Sequence, residues 1–123
     1  MWGKYRFFFS LAMERDDTIQ PKIDIPLRDI QKFCARNHIN KLALFGSVLT
    51  SRFRKKSDVD ILVEFDTKHI PGLIGISQLE FELGEIVGRR VDLRTAKDLS
   101  PYFRNDVIVN AYHLYGKERF FPS

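Results

Sequence analysis

The chain has 123 residues, 44% of them hydrophobic, which is enough for one domain built around one core. A formal net charge of +4 and a pI near 9.3 make it mildly basic; a nucleotide, an RNA or an acidic partner all suit that balance and none is singled out. The lone Cys34 excludes an internal disulfide framework and a multi-cysteine zinc site, and the apolar runs are too short to span a membrane.

Residues 1–22 read as an N-terminal extension. Lys4 and Arg6 precede Phe7-Phe8-Phe9-Ser10-Leu11-Ala12-Met13, a superficial likeness to a secretion signal. The apolar core is at the short limit for a signal and the following residues make a poor cleavage site, so the expected location is cytoplasmic. Three readings of the extension stay open: a flexible arm, a segment packed on the domain, or sequence upstream of a true start at Met13.

A helix is expected from Asp24, with Asp24 as its cap, Pro26 in its first turn, and Leu27, Ile30, Phe33 and Cys34 on one face. It should end near Asn37–Asn40, with Cys34 a small buried side chain. Leu42–Phe45 is the first predicted strand. It runs into Gly46-Ser47, and Val48–Phe53 reads as a short helix with Gly46-Ser47 at its N-terminal end. Arg52-Phe53-Arg54-Lys55-Lys56 follows. Most such charge runs are solvated faces, but cations here lie where a triphosphate or a leaving pyrophosphate would need neutralising.

Asp58–Phe65 is the second predicted strand. Side chains at i and i+2 point to one face, about 6.5–7 Å apart, so Asp58 and Asp60 project together while Val59 turns into the core. Two neighbouring carboxylates repel each other. A divalent cation removes that conflict, and Mg²⁺ commonly takes one or two carboxylates, with water and substrate phosphate completing its shell. Gly46 permits close backbone approach, and Ser47 offers a hydroxyl and an N–H to phosphate. Alone, the Gly-Ser pair would be an ordinary turn and Asp-x-Asp a solvated strand end. In this order, between two apolar runs, they read as a site for a metal-bound nucleoside triphosphate.

After a loop at 67–72, Leu73, Ile76, Leu79, Leu83, Ile86 and Val87 recur at helical spacing as a core stripe up to Gly88, leaving Glu80, Glu82 and Glu85 wet. Arg89–Arg94 reads as a third strand with Val91 and Leu93 inward. Spacing alone leaves open whether Asp92 joins Asp58 and Asp60. Ser100-Pro101 has the form of an N-cap followed by Pro at the first helical position. Phe103, Val107, Ile108, Ala111, Leu114 and Tyr115 would be the inner face of a last helix ended by Gly116. Phe120-Phe121 mark a partner surface if exposed and core if tucked in. His38, His69 and His113 show no metal spacing, and the absence of Gly-x4-Gly-Lys excludes a P-loop kinase or ATPase.

Gly46-Ser47, ten residues, then Asp58-Val59-Asp60, set within Leu-Ala-Leu-Phe-Gly-Ser-Val-Leu (42–49) and Ser-Asp-Val-Asp-Ile-Leu-Val-Glu-Phe (57–65), resembles the signature of the DNA polymerase beta-like nucleotidyltransferases. The likeness is to the minimal nucleotidyltransferase branch, typically antitoxins paired with a HEPN-domain ribonuclease toxin, and covers about residues 22–116. It implies an α/β fold, a small mixed sheet with helices mainly on one face, over a domain at 23–123. It further implies Asp92 as the third carboxylate, so that Asp58, Asp60 and Asp92 are both catalytic and metal-binding. Two Mg²⁺ ions would lie roughly 3.5–4 Å apart. Gly46, Ser47 and Arg54 would bind the nucleotide. Lys55-Lys56 depart from the Pro–acidic pair common in the family, which bears on the loop and not on the metal ligands. The implied activity is transfer of AMP from ATP to a tyrosine of a HEPN toxin in a hetero-oligomer, with no direct binding of nucleic acid. Two rivals stay open: an antitoxin that neutralises its toxin by binding alone, and a nucleotidyltransferase acting on a small molecule or an RNA 3′ end.

Overall fold

The computed structural model describes residues 21–120. The readings of the N-terminal extension up to residue 20, and of Phe121, fall outside that range. The elements are α1 (Leu27–Arg36), β1 (Ile39–Phe45), a 3₁₀ turn (Gly46–Leu49), β2 (Val59–Phe65), α2 (Leu73–Val87), β3 (Val91–Arg94), a second 3₁₀ turn (Ala96–Asp98), α3 (Arg104–Asn110) and β4 (Tyr112–Tyr115).

The four strands form one mixed sheet in the order β3-β2-β1-β4. β2 and β4 run antiparallel to β1, and β3 runs parallel to β2. The parallel pair needs a crossover, and α2 supplies it. Alternation along β2 sets the two faces: Val59, Ile61, Val63 and Phe65 are buried, whereas Asp60 and Glu64 are not. The buried set packs with Leu42 and Leu44 of β1, Val91 and Leu93 of β3, Ile30, Phe33 and Cys34 of α1, and Leu79 and Leu83 of α2. Ala43, Leu62 and Ile108 are also buried but stand outside that core. They mark where α3 crosses the opposite face, beside a sheet surface that is otherwise open among the described residues.

Several boundaries differ from expectation. α1 starts at Leu27 with Pro26 as its N-cap, and no side chain caps it, so Asp24 lies outside the helix. β1 begins at Ile39, three residues early. Leu73 is 89% exposed and is no part of the core stripe. Glu80 turns inward: its Oε2 accepts a 2.8 Å hydrogen bond from the Leu93 N–H, satisfying a donor on the edge strand β3. Glu82 pairs with Arg36, tying α2 to α1. The largest difference is at the C-terminal end. The last helix stops at Asn110, and 112–115 form a strand paired to β1. Phe103 is consequently 65% exposed, while Ile108 faces the sheet and is buried.

Candidate active site

β1 ends at Phe45, and Gly46 turns the chain with φ +80, a left-handed value suited to glycine. The turn is pressed against β2. A Cβ built on Gly46 would lie 2.3 Å from Asp60 Oδ2, so glycine is required both for its backbone angle and for the space it leaves beside that carboxylate. Phe45 is the register partner of Asp60, and Asp60 in turn is the register partner of Asp92 on the parallel neighbour β3. Adjacent strands lie about 4.8 Å apart, so the Gly46 turn, Asp60 and Asp92 form a continuous row across the open face. Asp58 stands just before β2, partly exposed, with Oδ1 3.9 Å from Arg90 Nη1.

Negative charge is concentrated on this row. Burial pushes the Asp60 carboxyl up to about 6, the nearby Asp92 and Asp58 carboxylates add to the rise, and Arg94 opposes it. Arg94 clasps Asp92 with two hydrogen bonds, Nε to Oδ1 and Nη2 to Oδ2, each 3.2 Å. Among the described residues no three His, Cys, Asp or Glu side chains converge as a finished metal cluster. The donor set nevertheless suits a hard divalent cation. Its oxygens are carboxylates, and two carboxylate neighbours already disfavour ionisation of the central one.

Gly46-Ser47 occupies a 3₁₀ turn of four residues, not the N-terminus of an α-helix as expected. So short a turn has little dipole, which leaves its local N–H and hydroxyl groups as what it can offer an anion. The basic loop is well tied. Thr50 Oγ1 donates to the Ser47 carbonyl at 2.9 Å. Arg54 Nη1 donates to the Ser51 and Phe53 carbonyls at 2.8 and 3.1 Å. Arg89 Nη2 donates to the Arg54 carbonyl at 2.8 Å while its guanidinium sits 4.4 Å over the Phe53 ring. Arg54 therefore spends part of its guanidinium on the loop. Arg52 is the cation that lines the cavity beside Gly46 and Ser47. Lys55 and Lys56 are exposed.

That cavity, about 570 Å³, lies between the turn and α3, and Phe45, Leu49, Phe103, Asp106, Val107 and Asn110 also line it. Sequence reasoning placed Arg52 in the basic run but favoured Arg54, read Phe103 and Val107 only as helix core, and gave no site role to Arg94, Asp106 or Asn110. Arg94 two positions after Asp92 was a usable signal, since i and i+2 on a strand share a face. The placement of α3 opposite the turn had no local signal. Cys34 is buried and its thiol pushed up to about 12 by that burial, as befits an unreactive core residue.

A small mixed sheet carrying a Gly-Ser turn and a row of carboxylates on its open face is the arrangement of a nucleotidyl-transferring domain. The chain belongs to the nucleotidyltransferase domain family, whose model matches residues 27–112. It is similar to protein adenylyltransferase MntA of Thermococcus cleftensis, at 40% identity over 55 residues, 45% of this chain and 54% of that one. A chain of a toxin–antitoxin crystal structure with AMP-PNP superposes with a TM-score of 0.60 at 25% identity, covering 76% of each chain. Another, from the complex of the tri-AMPylated Shewanella oneidensis HEPN toxin with MNT antitoxin, gives 0.53 at 26% identity over 74% of this chain and 70% of its own.

Proposed function

We propose that this protein is an antitoxin that transfers AMP from ATP to a tyrosine hydroxyl of a HEPN-domain ribonuclease partner, silencing it within a hetero-oligomer. The observation that carries the chemistry is the row of Gly46, Asp60 and Asp92, with an added Cβ on Gly46 only 2.3 Å from Asp60 Oδ2. The adenylyltransferase name of the Thermococcus relative and the AMPylated toxin in the Shewanella complex support the acceptor.

Mg²⁺ held by Asp58 and Asp60, with Asp92 serving a second ion once released from Arg94, would supply neutralisation of the triphosphate charge. Ser47 presents its hydroxyl and N–H to the phosphates, and the bare Gly46 backbone lets them approach Asp60. Asp92 orients the incoming hydroxyl or accepts its proton. The tyrosine oxygen bonds to the α-phosphorus as the bond to the β-phosphate oxygen breaks, and pyrophosphate leaves in line. Arg52 and Arg54 neutralise charge on the leaving side. Catalysis on this scheme is positioning and electrostatics. No helix among the described residues is long and apolar enough to cross a membrane.

The test is intact-mass spectrometry of the HEPN partner after incubation with this protein, ATP and Mg²⁺. One or more added AMP units are expected. Asp58→Ala combined with Asp60→Ala should reduce that transfer by about 10³-fold or more while the circular-dichroism spectrum stays native. Label transfer retained in the double variant would sink the assignment. Inhibition in a stable complex without mass gain would instead point to neutralisation by binding.

A further inference from the structure

Transfer of AMP to a tyrosine needs an accessible phenol, and this chain carries one beside its own site. Of its four tyrosines, Tyr112 and Tyr115 lie in β4, half-buried and packed against the core, and Tyr5 falls outside the described residues. Tyr102 is 91% exposed, and among the described residues its hydroxyl has no hydrogen-bond partner. Its ring removes almost no apolar surface from water, so it adds little to the stability of the fold.

The segment that carries Tyr102 is tied to the site on both sides. β3, which bears Asp92, runs into the 3₁₀ turn at Ala96–Asp98, where the Asp98 carboxylate accepts hydrogen bonds from the Thr95 N–H and hydroxyl, each 3.0 Å. Arg104 straps the next stretch: Nε donates to the Ala96 carbonyl at 2.8 Å and Nη2 to the Leu99 carbonyl at 3.0 Å. The Ser100 carbonyl accepts from the Phe103 and Arg104 N–H groups at 3.0 and 2.9 Å, and Ser100 Oγ accepts from the Tyr102 N–H at 3.3 Å. Each turn of the chain from Asp92 to Tyr102 is thus closed by hydrogen bonds. On the other side, Phe103 lines the cavity that ends on Gly46-Ser47.

We propose that Tyr102 is a self-modification site, to which the protein transfers AMP from ATP. The inference rests on the AMP-transfer reading above and adds to it a second acceptor, on this chain. The Tyr102 oxygen bonds to the α-phosphorus of ATP as the bond from that phosphorus to the β-phosphate oxygen breaks. Pyrophosphate leaves with the bonding electrons, and the phenolic proton passes to water. Two features favour this tyrosine. A turn already closed by hydrogen bonds has less freedom to lose on alignment with the phosphate. Its ring is also free to engage without opening the core, which Tyr112 and Tyr115 would require.

The experiment is intact-mass spectrometry of the full chain alone after incubation with ATP and Mg²⁺, followed by peptide mapping. Wild type should gain one AMP unit, mapped to Tyr102. Tyr102→Phe removes only an exposed hydroxyl; it should lose that gain, keep a native circular-dichroism spectrum and still modify the HEPN partner. Asp58→Ala combined with Asp60→Ala should lose both modifications. Wild type that modifies the partner but gains no AMP itself, or gains it at a residue other than Tyr102, overturns the self-modification site and leaves the transfer reading standing. Absence of AMP on both the chain and the partner overturns the transfer reading, and this site with it.

Discussion

The two faces of the sheet are made by the same strands and have opposite properties. On the closed face Leu42, Leu44, Ile61 and Val63 are essentially inaccessible beneath α1 and α2. Each next to a buried neighbour in its own strand, Asp60, Glu64, Asp92 and Arg94 stand on the open face, where among the described residues α3 lies by Ala43 and Leu62. The closed face holds the fold together by removing apolar surface from water. The open face does the reverse: it gathers like charges, half-buries one of them and leaves a cavity against α3. A pleated strand makes the division possible, because adjacent residues never compete for one environment. The lesson is that stability and chemistry can be altered separately here, with Gly46 and Glu80 as the places where the faces meet.

A substitution on the closed face should be the most damaging to the fold. Leu83→Ala removes a fully buried side chain of α2 and should lower the unfolding free energy by about 2–5 kcal/mol, read by urea titration, while the folded fraction keeps its affinity for nucleotide. Loss of affinity at full folding would break the separation. Gly46→Ala sits at the junction. Its φ of +80 and the 2.3 Å approach to Asp60 Oδ2 both penalise a methyl group, for a cost of roughly 1–3 kcal/mol. Displacing the carboxylate by about 1 Å should also cut AMP transfer by about 10²-fold. The melting temperature and the transfer rate should therefore fall together in this variant. Glu80→Ala strips the Leu93 N–H of its acceptor and should destabilise by about 1–2 kcal/mol. The matching signature is faster amide exchange at Leu93, next to Asp92.

The smallest effect has the opposite sign. Asp60 has an ordinary value of 3.8, raised to about 6 in the fold, so between those values the folded state binds more protons than the unfolded one. Stability of the metal-free protein then falls as pH rises from about 4 to about 6, and stays lower above that. Asp60→Asn removes the charge and should be more stable than wild type above pH 6, by about 1 kcal/mol once solvent screening of this half-exposed group is allowed for. The difference should vanish below about pH 4. Thermal melts in chelator across that range check it, and an unstabilised variant at pH 8 would mean that the open face carries no such electrostatic penalty.

Much of this was legible in local pattern. The alternation of Val59-Asp60-Ile61 announced both a strand and its two faces, the stripe from Ile76 to Val87 announced α2, and Gly88, in the left-handed region at φ +74, ended it where expected. Gly46 and Asp60 could be named because each depends on a turn or a strand period written within a few residues, whereas Asp92 was named only through the family resemblance, its place beside Asp60 depending on pairing between β2 and β3. The largest misreading has a non-local cause. Residues 103–115 satisfy a helical period in sequence, yet 112–115 are a strand because β1 has an open edge beside them, and strand pairing is decided by a neighbour about seventy residues away. The same non-local step brings α3 over the sheet and sets Asp106 and Asn110 opposite Gly46-Ser47. Sequence by itself determined which side chains could hold phosphate and metal, since that follows from residue type and period. Tertiary structure alone decided what stands across from them: Arg94 on Asp92, Arg52 at the cavity, and the side of α3 that lines the cavity opposite the turn. Those pairings arise from packing between distant segments, which no local period encodes.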